Sequence, residues 1–305
     1  MQPRFFTGVY GRLCPQQVLR ETRPHFAGLE ISCLGSPQEA EAVAAFARER
    51  QLALGVHFPL VRPAGSGGAA HPLITSRDEA ARNQAFSAVA GGLEAAASIG
   101  AEYLVIHFPK PSILSSSLDW SDWRFPQAGE SMFEESTSIT EQCHLAHSAF
   151  SALDRLAERS TVRIVLEHDI LHPLFYQSLL PELFAAFPRV GFCLDLGRLH
   201  LQQHTDPGFS GIRFVEHMLP FITNVHLWTV RLGENRQGGH HPILPRLRAE
   251  EGWGENEAYL RALSVLNHAD VMFEHRSELV SEAELDCCYS WTESMLTGSS
   301  RRHPA

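Results

Sequence analysis

Eight short apolar runs, each followed by a stretch of helical character, restrict what this chain can fold into more than any other feature. They are Phe5–Tyr10, Leu29–Cys33, Ala53–Phe58, Tyr103–Phe108, Val162–Glu167, Val190–Leu196, Ile222–Leu227 and Val271–Glu274. Several are apolar on consecutive residues, as Tyr103-Leu104-Val105-Ile106 shows. That pattern belongs to parallel strands buried on both faces, not to half-exposed antiparallel ones. Strand and helix alternating eight times predict a (β/α)8 barrel, here a single domain over residues 1–305. A doubly wound open sheet is the alternative. No GxGxxG or GxxxxGK[ST] follows an early strand, which disfavours that sheet and leaves no nucleotide cofactor indicated.

The helix starts carry their own marks. Ser36-Pro37-Gln38-Glu39, Ser76-Arg77-Asp78-Glu79, Ser131-Met132-Phe133-Glu134 and Ser281-Glu282-Ala283-Glu284 each fit the S/T-x-x-E capping box. Between Glu79 and Ile99, Phe86, Val89, Leu93 and Ala97 recur at helical spacing, and Gly100 supplies a stop. Long connections follow strands three, four and seven, at Val61–Thr75, Pro109–Glu130 and Val230–Glu255. In a barrel all three lie on the C-terminal face, where active sites of this fold are built.

Polar residues stand where the strands end. Strand three closes on His57, strand four on His107, strand five on Glu167, strand six on Asp195, strand seven on His226 and strand eight on Glu274. A lone His after an apolar run is usually a satisfied core residue, and Asp195 could simply cap the next helix. Six consecutive strands placing a ligand-type residue at the same end argue instead for a metal site. Oxygen and nitrogen donors of this kind suit one divalent ion: Mn, Mg, Co or Zn. His168 and His275 directly follow candidate ligands, so strand alternation turns them away into packing roles. Other histidines, His71 among them, have no site context in the sequence.

With 25 Lys plus Arg against 35 Asp plus Glu, the formal charge is −10, which disfavours general nucleic-acid binding. The six Cys include no CxxC, so neither a disulfide framework nor a zinc ribbon is indicated. No apolar run approaches the ~20 residues needed to cross a bilayer. The start of the chain lacks an apolar signal core, and a cytoplasmic location is expected.

The order Glu167, Asp195, His226, Glu274 on strands five to eight resembles the xylose isomerase-like barrel superfamily, above all its sugar epimerases and sugar phosphate isomerase/epimerase-like proteins. The resemblance implies one divalent metal held by these four residues, with Glu167 and Glu274 also carrying protons. The reaction it implies is isomerisation or epimerisation of a sugar, sugar phosphate or related polyol ketone, by proton abstraction beside a metal-polarised carbonyl. The same superfamily includes apurinic-site endonucleases with three zinc ions. His57, His107 and His240 look like that branch's further histidines, but Arg198 stands where both branches commonly have His, and Gly238 where Asp is expected. His200 is a candidate replacement at a different spacing.

The resemblance further suggests that His57 and His107 orient hydroxyls, and that Lys110, Arg198 and Arg231 hold an anionic end of the substrate. Trp228, with Trp120, Trp123 and Trp253, would wall the pocket against a sugar face. The expected partner is a small sugar-like molecule, and a homo-oligomer is compatible with the fold. A ketosugar or inosose dehydratase, a multi-zinc phosphoester hydrolase and a non-catalytic ligand-binding barrel stay open, because barrels host many chemistries.

Overall fold

The computed structural model describes residues 2–63, 71–123, 125, 129–233 and 237–298, with only the backbone at 237 and 238. The remainder, including stretches of all three long loops, lies outside the description, as do the surroundings of Gly238. Eight parallel strands close a barrel: β1 (Arg4–Tyr10), β2 (Gly28–Ser32), β3 (Ala53–His57), β4 (Tyr103–Phe108), β5 (Arg163–His168), β6 (Val190–Asp195), β7 (Ile222–His226) and β8 (Asp270–Phe273). Each pairs with its neighbours in chain order, and β8 closes on β1 through Arg4–Asp270 to Thr7–Phe273. Every strand begins and ends within one residue of the apolar run that predicts it.

The helices around the barrel are α1 (Pro15–Glu21), α2 (Pro37–Glu49), α3 (Glu79–Ser98), α4 (Ile139–Glu158), α5 (Leu180–Ala186), α6 (Leu196–Thr205), α7 (Gly211–Met218), α8 (Asn256–Leu263) and α9 (Glu282–Thr297). Two of the four expected caps are in place. Ser36 accepts from the Glu39 amide at the start of α2, and Ser281 with Glu284 forms a complete capping box on α9. The other two differ. Asp78, two residues closer to the helix, caps α3 through the Ala80 amide, and Ser76 accepts from the Asp78 amide instead. Ser131 lies in a short strand, Ser131–Phe133, paired with Ser112–Leu114, and Ser138 caps α4. S-x-x-E therefore needs a free first turn after it, and pairing with 112–114 removes that turn.

The main core lies between strands and helices, with Phe150, Phe184 and Phe192 among its large side chains. A smaller cluster inside the barrel contains Phe6, Tyr103, Val105, Val165, Cys193 and Met272. Strand alternation stacks His107, Glu167, Asp195 and Glu274 on the same face, two residues beyond Val105, Val165, Cys193 and Met272. The floor of the mouth is packed, and these side chains share it with the buried Glu30. A third cluster, including Trp123, Leu201 and Trp228, sits among the loops beyond the strand ends.

A candidate metal centre at the barrel mouth

Sheet register builds the site. Glu167 lies level with His107 on one side and Cys193 on the other, and Asp195 lies level with His226. Glu167, Asp195, His226 and Glu274 each present one donor atom, and these atoms all lie within 4.8 Å of one another. The first three are buried, whereas the Glu274 side chain keeps 14% of its exposure and faces the opening.

Burial, mutual repulsion and the neighbouring cations set the ionisation of these three carboxylates and the imidazole. Burial, together with Glu167 and Glu274, pushes Asp195 well above the usual carboxylate range. Burial would raise Glu274 too, but its hydrogen bond to His226 and the charges of His240 and His226 outweigh it and hold it at about 2. Burial of Glu167 is likewise outweighed, by His107 and Arg198 first, and it sits well below its ordinary value. Nδ1 of His226 is buried and lacks a well-aligned hydrogen bond, 3.2 Å from Glu274 Oε2 and 3.7 Å from Glu167 Oε2. An imidazole nitrogen among carboxylate oxygens fits a divalent ion with mixed oxygen and nitrogen donors.

Asp195 is at once helix cap and candidate ligand. Oδ1 accepts from the Arg198 amide at 2.7 Å, and Oδ2 accepts from the Trp228 indole N–H at 2.7 Å. Trp228 reaches it because residue 197 is Gly: a Cβ there would lie 2.2 Å from the indole. The Trp228 ring is therefore a clamp on Asp195, and its other face stacks on His240 at 4.2 Å. His240 itself has a left-handed backbone with φ 58, and its Nδ1 meets the Glu274 carbonyl oxygen at 2.9 Å.

His57 and His107 both join the site at Glu167. Their Nε2 atoms lie 2.8 and 3.4 Å from Glu167 Oε2 and 3.3 Å from each other. Against the opposing effect of burial, the Glu167 hydrogen bond raises His57. Burial, aided by Arg198, lowers His107 to about 4 against the pull of Glu167 and Asp169. Arg198 donates from Nε to Glu167 Oε1 at 2.7 Å and from Nη1 to Asp169 Oδ1 at 3.0 Å. His57, Arg198 and the sheet register thus hold Glu167 from several sides.

The remaining candidates lie elsewhere or turn inward. Lys110 is 2% exposed and paired with Asp169 at 2.7 Å and Glu130 at 3.2 Å, so its charge is matched inside the protein. His200 meets the Gly252 carbonyl at 3.1 Å, and Arg231 donates to the Glu251 carbonyl at 2.8 Å. Trp120 and Trp123 pack in the loop cluster, and Trp253 packs against His241. His168 and His275 pack beside Phe192 and Tyr289, as strand alternation requires.

Three groups at the site had no distinguishing signal in the sequence. Glu30, fully buried on β2, lies 3.2 Å from Nε2 of His226. Asp169, just beyond β5, accepts from His107 Nδ1 at 3.1 Å as well as from Lys110 and Arg198. His71 lies with its ring centroid 4.0 Å from that of His107.

Comparison with solved structures finds this same barrel. The 3-keto-D-glucoside 4-epimerase of E. coli aligns over 96% of this chain and 100% of its own, at 14% identity and a TM-score of 0.63. The mannonate dehydratase of Streptococcus suis serotype 2 aligns over 100% and 98%, at 10% identity and 0.63. A Thermus thermophilus protein soaked with ZnCl2 aligns over 97% and 99%, at 21% identity and 0.58. The likeness is one of fold. No family model matches the chain, and no curated protein does.

Proposed function

We propose that this protein is a divalent-metal-dependent isomerase or epimerase of a sugar, sugar phosphate or related polyol ketone. The observation that carries the reading is the convergence of Glu167, Asp195, His226 and Glu274 from four consecutive strands. A divalent ion bound there would polarise a carbonyl and acidify the neighbouring C–H. The protein's own groups would do the rest. Glu274 keeps 14% of its side chain exposed at the mouth, where its carboxylate can reach a substrate proton. Glu167 is the second proton carrier, oriented by His57 and Arg198. Trp228 and the Arg198 amide hold Asp195 in place before any ligand arrives, which limits reorganisation on binding. That structural neighbours of this fold are named an epimerase and a dehydratase supports a sugar-like substrate.

The test has two arms. Protein purified without added metal is assayed for metal content, then incubated with a panel of ketosugars and sugar phosphates in D2O. One tightly held ion and deuterium at the carbon beside the carbonyl are expected. A metal-free protein that exchanges no such proton sinks the proposal, and loss of water from the substrate would favour a dehydratase.

One observation favours a second reading. His57, Glu167 and His226 form another group of donors within the same 4.8 Å, overlapping the first at Glu167 and His226. Two or more ions per chain, with cleavage of an abasic oligonucleotide, would make the protein a multi-zinc phosphoester hydrolase.

A further inference from the structure

We propose that Glu30, held by Tyr103, is a positioning residue that commits His226 to bind its metal through Nδ1. This rests on the metal-dependent reading above. Glu30 and His226 lie 196 residues apart, both with no exposed surface. Nε2 of His226 is 3.2 Å from Glu30 Oε1 and 3.3 Å from Oε2, between the two oxygens. Where Glu30 accepts from Nε2, the hydrogen that the ring keeps on binding a metal is the one on Nε2. Nδ1, the nitrogen that faces Glu167 and Glu274, is then the one that gives up its proton to a metal. The Cys193 thiol also borders this ring, but sulfur is a weak acceptor and does not compete with a carboxylate for that hydrogen.

Glu30 is itself held. The Tyr103 hydroxyl donates to Oε2 at 2.9 Å. Tyr103 can stand there because its neighbour on β3 is Gly55, where a Cβ would lie 2.1 Å from the phenol ring carbon that bears the hydroxyl. Glu30, Gly55 and Tyr103 occupy one level on β2, β3 and β4. Tyr103, Glu30 and His226 form a hydrogen-bonded chain across the barrel interior, ending at the candidate metal donor. A carboxylate behind a metal-binding imidazole fixes its ring orientation and raises its basicity, and its loss typically weakens metal binding about 10–100-fold.

The experiment measures Co(II) and Zn(II) affinity by competition with a chromophoric chelator, in wild type, Glu30→Gln and Tyr103→Phe. The visible spectrum of the Co(II) forms is recorded alongside. Glu30→Gln is expected to bind about 10–100-fold more weakly with shifted Co(II) bands, because a neutral amide no longer dictates which ring nitrogen is bare. Tyr103→Phe should move in the same direction by about tenfold or less, and it carries the test should Glu30→Gln fail to fold. Folded variants that bind within twofold of wild type with unchanged bands overturn the assignment while leaving the metal-dependent reading intact. A wild type that binds neither ion overturns both.

Discussion

Asp169 pairs with both Lys110 and Arg198 beside the mouth, and replacing it by Ala should be costly. It is 4% exposed and accepts from Lys110 at 2.7 Å, Arg198 at 3.0 Å, His107 at 3.1 Å and the Ile170 amide at 2.9 Å. Its removal leaves Lys110 with Glu130 alone, in a setting that is 2% exposed. Breaking a buried pair in this way typically costs about 3–5 kcal/mol, because the remaining charge has lost its partner but not its desolvation. At about 2.1 cal/mol/K per residue, a chain of 305 residues unfolds with an entropy near 640 cal/mol/K, which converts that cost into a fall in Tm of about 5–8 °C. Calorimetry of Asp169→Ala, Lys110→Met and the double variant is the assay. The double variant should recover part of the loss, since the orphaned ammonium is gone. An Asp169→Ala protein that melts within about 1 °C of wild type would refute the pairing as a stabilising element.

Glu167→Gln and Glu274→Gln should each abolish α-proton exchange while leaving a folded barrel; near-native exchange in a folded, metal-replete variant removes that residue from the chemistry. His226→Ala should strip the tightly held ion by elemental analysis after dialysis, whereas His57→Ala and His107→Ala should retain it; ion loss from the latter two supports the hydrolase. Stability should also fall with acid. Burial holds His275 at about 3, and burial with Arg198 holds His168 at about 4, so both stay neutral in the folded state while the unfolded chain takes up protons near pH 6.5. Their contribution is present above that pH and is lost on the way down to the folded values. Urea titrations between pH 7 and pH 5 should show a decline approaching about 1.4 kcal/mol per pH unit for each His, and a flat profile contradicts it.

The barrel was legible because its strands are covered on both faces, which writes them as unbroken apolar runs such as Tyr103–Ile106. Glu167, Asp195, His226 and Glu274 were legible for the converse reason: each interrupts such a run at the end that faces the mouth. Those are local patterns, and a single chain segment contains all the information they need. Whether Ser76 or Asp78 caps α3 depended on which acceptor the first turn reached, and the strand at Ser131 on a partner segment nearly twenty residues away. Glu30 sits between Leu29 and Ile31 with nothing local to set it apart. Its place beneath His226 exists only once β8 has closed on β1 and the barrel interior has a diameter. The same holds for Lys110, read as a free cation until Glu130 and Asp169 close around it. Periodicity along a strand determines which side chains enter the barrel, but which of them meet across it, and so which charges are neutralised and which nitrogen is left bare, is decided by closure alone.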